Sequence, residues 1–115
     1  ELMRKDSLEL TDADRALIAS AAREASETLI VVTHGTDTMT ETARVLAAEV
    51  PGKTICLTGA LSPARFAQTD AGFNLGMAFV TAQVAPPGVY IAMSGEVFDG
   101  LKVRKDRAAG KFVAI

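Results

Sequence analysis

The sequence predicts an α/β fold, a three-layer, doubly wound, mostly parallel sheet, and three observations predict it. Short apolar, β-branched runs such as Leu29-Ile30-Val31-Val32 lack alternation, as strands covered on both faces do. Segments with apolar residues at helical spacing stand between those runs. The connections are short, so helix and strand alternate along the chain.

Each element has its own signal. Thr11-Asp12-Ala13-Asp14 offers an N-cap hydroxyl with an acid three residues on, and Leu17, Ile18, Ala21 and Ala22 continue an amphipathic helix to about Ala25. The run from Leu29 to Val32 is the first strand. Glu41 to Glu49, with Ala43, Leu46, Ala47 and Val50 on one side, is a helix that Pro51-Gly52 ends. Thr54 to Leu57 is a second buried strand. Asp70 to Val84 forms a third helix, closed by Pro86-Pro87-Gly88, and Val89 to Met93 a third strand. Beyond Gly95 come short charged pieces, Glu96 to Asp99 and Lys102 to Arg107, with Gly100 and Gly110 as turns and Phe112 to Ile115 as a last strand. No linker, repeat or low-complexity segment interrupts residues 1–115, which read as one domain.

Composition narrows the function. The 115 residues are 49% hydrophobic and 23% charged, enough for a core. With 12 Lys and Arg against 14 Asp and Glu, the net charge is -2, which argues against a nucleic-acid partner. The single cysteine, Cys56, has no internal disulfide partner and sits in a strand, which fits a reducing, cytoplasmic home. The charge-free run from Ala71 to Gly95 contains Asn74, Thr81, Gln83, Pro86 and Pro87, so a helix and a strand in a core are expected there and no membrane span. The chain opens with Glu1-Leu2-Met3-Arg4-Lys5, with no initiator Met and no targeting pattern, and is expected to be a piece of something longer.

In a doubly wound sheet, ligands sit at the carboxyl ends of the strands. The first loop there, Thr33-His34-Gly35-Thr36-Asp37-Thr38, packs hydroxyls, an imidazole and a carboxylate around one glycine. Gly35 lets the backbone turn tightly, and Thr36 and Asp37 are expected to point into the crevice. The competing reading is that Thr38 or Asp37 only caps the following helix. The second loop, Thr58-Gly59-Ala60-Leu61-Ser62-Pro63, has small residues that leave backbone groups open to a ligand, or is an ordinary turn. The third, Ser94-Gly95-Glu96, leads through Asp99-Gly100 to Lys105, in a charged run that is ordinarily solvated. One histidine and one buried cysteine do not make a metal site, so His34 is expected to orient its loop by hydrogen bonding. There is no Gly-x-Ser-x-Gly elbow, Gly-x-Gly-x-x-Gly or Walker loop, which argues against a serine triad and against nucleotide binding.

The stretch Ile30-Val31-Val32-Thr33-His34-Gly35-Thr36-Asp37-Thr38-Met39, with Glu41-Thr42-Ala43 following, resembles the second signature of bacterial-type asparaginases and glutaminases. Leu57-Thr58-Gly59-Ala60, then Asp70 with Phe73-Asn74-Leu75, then Val97-Phe98-Asp99-Gly100 followed by Lys105, match in the family's order, and Ser7 in Asp6-Ser7-Leu8 resembles its substrate-binding serine loop. The resemblance implies an amidohydrolase without metal or organic cofactor, acting on asparagine, glutamine or a similar small amino-acid amide. It implies a triad of Thr36, Asp37 and Lys105, in which the lysine helps activate the hydroxyl or a nearby water and the carboxylate steadies the lysine. Asp37 would also hold the substrate's α-ammonium group, Ser7 its α-carboxylate, and the Ala60 carbonyl the leaving amide. A threonine hydroxyl is a weak nucleophile and needs such a base, which a solvated lysine could not be.

The departures are as informative. The family's Thr-Gly-Gly-Thr loop and flap tyrosine would lie upstream of Glu1, its smaller C-terminal domain is missing, Leu8 stands where many members have Gln or Ser, and Leu61-Ser62-Pro63 replaces a common Met-Arg-Pro. The chain therefore reads as an asparaginase-like N-terminal domain lacking its first strand and flap. A homo-oligomer, dimer or tetramer, is expected by resemblance and from exposed sheet edge. Two other readings stay open: a module that binds a small amino acid without turnover, and a flavodoxin-like domain used for regulation.

Overall fold

In the computed structural model, which describes residues 1–61 and 69–115, local chemistry sets each element. Helix α1 (Asp12–Glu24) starts at a capping box: the Thr11 hydroxyl accepts from the Asp14 amide at 3.1 Å, and the Asp14 carboxylate accepts from the Thr11 amide at 3.0 Å. Its last turn is closed by the Lys53 ammonium, which donates to the carbonyls of Ala22 and Ala25, groups a helix end leaves without partners.

Strands β1 (Leu29–Thr33), β2 (Thr54–Thr58) and β3 (Gly88–Met93) pair in parallel in that order, with Val31 opposite Cys56 and Cys56 opposite Tyr90. All five residues of β2 are buried, as a central strand without alternation should be. Helices α1 and α2 (Met39–Glu49) cover one face, where Ile18, Ala19, Met39, Leu46, Ile55 and Ile91 form the main core. Helix α3 (Ala71–Val84) covers the other through Met77 and Ala78 against Cys56 and Ala92. These are the three layers that the sequence predicts.

The end of the chain departs from simple alternation. Strand β4 (Glu96–Asp99) runs antiparallel to β3, because the connection is only Ser94-Gly95, both with positive φ (54° and 85°), as a two-residue hairpin turn needs. A parallel neighbour would need a crossover of a dozen residues or more. The charged run beyond Gly100 becomes β5 (Val103–Asp106), paired antiparallel with β6 (Lys111–Ala114) in a separate two-stranded ribbon. Val103 and Phe112, both buried, anchor this ribbon in the main core. Among the described residues no helix is long and apolar enough to cross a membrane.

Candidate active site

The three strand ends meet because glycines let their loops approach. The His34 amide donates to the Thr58 carbonyl at 2.9 Å, continuing the β1–β2 pairing by one bond. A Cβ at Gly59 would collide with the His34 carbonyl oxygen, and one at Gly35 would lie 2.9 Å from the Ser7 side chain, so both positions need a hydrogen there. Ser7 is itself buried. Its hydroxyl accepts from the Thr38 amide at 3.3 Å, and its carbonyl accepts from the Thr38 hydroxyl at 2.7 Å.

That last contact decides what the polar string before α2 does. Thr38 occupies the N-cap position, but its side chain makes no capping bond, since its hydroxyl is turned to Ser7. The capping reading therefore does not describe this loop. Thr36 and Asp37 instead face β5, where Lys105 Nζ donates to Thr36 Oγ1 at 2.7 Å and to Asp37 Oδ1 at 2.7 Å.

Lys105 points inward by strand alternation: it shares a face with buried Val103, two residues back, while Arg104 between them is exposed. Its side chain is only 15% exposed, against the ordinary expectation for a lysine in a charged run. Arg107 Nε approaches Asp37 Oδ1 at 3.6 Å from the same ribbon. The Lys105 hydrogen bond, with the charges of Lys105 and Arg107, holds the Asp37 carboxyl below the usual carboxylate range despite some desolvation. The carboxylate is charged at neutral pH and fixes the ammonium beside the hydroxyl.

Ala60 is half-buried and lines a cavity of about 320 Å3 with His34, Gly35, Thr58 and Gly59. A larger groove, about 610 Å3, runs along the outer edge of β1 and is lined by strand and helix side chains that carry no candidate residue. The remainder of the second loop, Ser62 and Pro63, lies outside the described residues. Among the described residues no group of three or more His, Cys, Asp or Glu could hold a metal ion. Burial of Cys56 pushes its thiol up to about 11, which leaves it inert as a nucleophile.

Two supporting groups have roles that the sequence did not suggest. Asn74, fully buried in α3, donates to the Gly59 carbonyl at 2.9 Å and to Asp70 Oδ2 at 2.9 Å, and accepts from the Ser94 amide at 3.0 Å. It ties the loops after β2 and β3 together. Arg15, buried in α1, donates to Thr42 Oγ1 at 3.2 Å and pairs with Glu41 at 3.0 Å. The available signal for Arg15 was its position on the apolar stripe of Ile18, Ala19 and Ala22, where a cation needs a buried partner.

Comparison with known proteins gives a consistent set of relatives. Residues 1–111 match the family model described as asparaginase, N-terminal. The L-asparaginase of Thermococcus kodakarensis is 32% identical over 114 residues, covering 96% of this chain and 35% of that protein. L-asparaginase 2 of Escherichia coli is 43% identical over 79 residues, 65% of this chain and 23% of its own length. A glutamyl-tRNA(Gln) amidotransferase component from Methanococcus vannielii is 41% identical over 87 residues, 66% of this chain and 20% of its own length. The solved structure of the thermostable Thermococcus kodakarensis L-asparaginase superposes with a TM-score of 0.91 at 31% identity, over 98% of this chain and 36% of that one. The chain thus spans about a third or less of the length of these relatives.

Proposed function

The chain belongs to the asparaginase family, through its N-terminal domain, and from that premise we propose that residues 1–115 form one amidohydrolase domain that cleaves the side-chain amide of a small amino acid such as asparagine or glutamine. The observation that carries this reading is the pair of 2.7 Å contacts that Lys105 makes with Thr36 and Asp37.

In this reading Thr36 Oγ1 attacks the amide carbon while Lys105 Nζ, hydrogen-bonded to that oxygen, takes the hydroxyl proton as it gives up one of its own toward the leaving nitrogen. The C–N bond then breaks, the proton passes to the leaving nitrogen, and ammonia departs. A water hydrolyses the threonyl ester, returning the hydroxyl and releasing the acid. Asp37 holds the lysine and receives the α-ammonium of the substrate, Ser7 its α-carboxylate, and the Ala60 carbonyl a hydrogen bond from the leaving amide. No metal or organic cofactor has a step in this sequence.

The test is ammonia release from asparagine and from glutamine, measured on the protein with Thr36→Ala and Lys105→Ala variants alongside. Loss of the base or the nucleophile should cut kcat by about 100- to 10,000-fold. Equal rates in all three proteins would remove Thr36 and Lys105 from the mechanism. Saturable binding of either amino acid by calorimetry, with no ammonia released, would replace the enzyme reading with a binding module.

A further inference from the structure

The one histidine of the chain sits immediately before Gly35-Thr36-Asp37, and its ring contacts are determined by a buried relay. Arg15 Nε has only protons to give, and it gives one to Thr42 Oγ1 at 3.2 Å. The Gly35 carbonyl, 2.6 Å from Nδ1, can only accept, so the neutral ring carries its proton on Nδ1. Nε2 is then left to accept from the Thr42 hydroxyl at 2.7 Å. The tautomer follows from these two contacts. Arg15 is held in turn by Glu41 Oε2 at 3.0 Å and by the Leu10 carbonyl at 3.3 Å, so the relay joins the start of α1, the first turn of α2 and the loop after β1.

We propose that His34 is a positioning residue, held as its Nδ1–H tautomer by Thr42 and buried Arg15, that fixes the Gly35 carbonyl and so aims Thr36 and Asp37 at Lys105. The peptide whose carbonyl His34 holds is the one that joins Gly35 to Thr36. A glycine at this place, required by the packing of Ser7, gives the peptide little rotational preference of its own. The imidazole supplies the constraint that the side-chain-free residue cannot. The charged group that favours the neutral ring is Arg15 from α1, whose charge Glu41 of α2 partly offsets; Arg4 and Lys5 border the same cavity and are paired with Glu1 and Asp14. Desolvation by burial draws the ring below its ordinary 6.5, against the Gly35 carbonyl, which favours the charged form, and with the help of the Arg15 charge.

The substrate-facing consequence rests on the amidohydrolase reading, whereas the relay does not, and the test separates them. Because His34 is the sole histidine, two-bond 1H–15N NMR of the ring reports one site. The expected result is a proton on Nδ1 at neutral pH and a titration midpoint below 6.5. Thr42→Val should remove the hydrogen bond at Nε2, shift the Nε2 resonance and raise the midpoint, and Thr42→Ser should restore both. An Nε2–H ring in the unaltered protein, or a ring indifferent to Thr42→Val, overturns the relay.

Positioning is read without substrate from the acetylation rate of Lys105 by mass spectrometry. His34→Leu, which removes the donor, should raise that rate several-fold, and His34→Asn, whose amide can donate in place of Nδ1, should keep it low. Equal rates in the two variants overturn positioning. If ammonia release is present, kcat should fall by about 10- to 100-fold in His34→Leu with KM little changed, and recover in His34→Asn. If ammonia release is absent in the unaltered protein, the amidohydrolase reading fails, and the NMR and acetylation arms still decide this one.

Discussion

Asp37 carries the clearest pH dependence, because its folded carboxyl titrates below the ordinary 3.8. In the interval between the two values the unfolded chain binds the proton and the folded chain does not, so stability rises with pH there. The contribution is complete above the unfolded value and is lost as pH falls through the folded one. The urea midpoint of the protein should therefore exceed that of Asp37→Asn by a constant amount from neutrality down to about pH 4 and converge with it on further acidification. A difference independent of pH would show that the Lys105 and Arg107 contacts to Asp37 do not persist in solution. At this scale the sequence was partly legible. The hexapeptide from Thr33 to Thr38 stood out by its composition, while the pairing of Thr36 and Asp37 with Lys105 was expected from the family resemblance. The inward aim of Lys105 was hidden, because four residues of strand with two cations give almost no alternation to read. The roles of Arg15 and Thr42 were hidden for another reason: a hydrogen bond across 27 positions leaves no local pattern.

Among the elements, the parallel strands and their helices were legible to within one or two residues, since burial on both faces demands unbroken apolar runs and a helix must show its 3.6 period. The differences are at ends. Helix α2 begins at Met39, two residues before the predicted Glu41, because Thr38 supplies the first carbonyl contacts to the amides of Glu41 and Thr42. Strands β4 and β5 were only charged text, for an edge strand and a ribbon can keep polar residues that a central strand cannot. Helix α3 supports the loops of the site through Asn74. Asn74→Ala would leave the Gly59 carbonyl and the Ser94 amide without that partner. A loss of about 1–3 kcal/mol for each buried group left unpaired is expected from denaturant unfolding. Unchanged stability would mean that water replaces the amide and that the two loops do not depend on this clamp.

For the whole molecule, one buried thiol offers a global readout. Cys56 lies at the middle of the central strand, with no exposed surface and a thiol raised to about 11, so it reacts only when the sheet opens. Labelling by a thiol reagent should be slow in native buffer and should accelerate with urea in step with loss of the helical circular dichroism signal; labelling at the rate of free cysteine in native buffer would contradict the buried sheet. The apolar outer face of α3, with Phe73, Phe79, Val80 and Val84 more than half exposed, is consistent with the proposal of a homo-oligomer, whose size sedimentation would give. The ribbon of β5 and β6 acts differently from the rest. It shares no strand pairing with the main sheet, yet it delivers Lys105 across 69 positions to Thr36. It works as a clasp: acetylation of Lys105 should accelerate at urea concentrations where Cys56 is still shielded, so the pairing with Thr36 can open while nearly all of the protein remains intact.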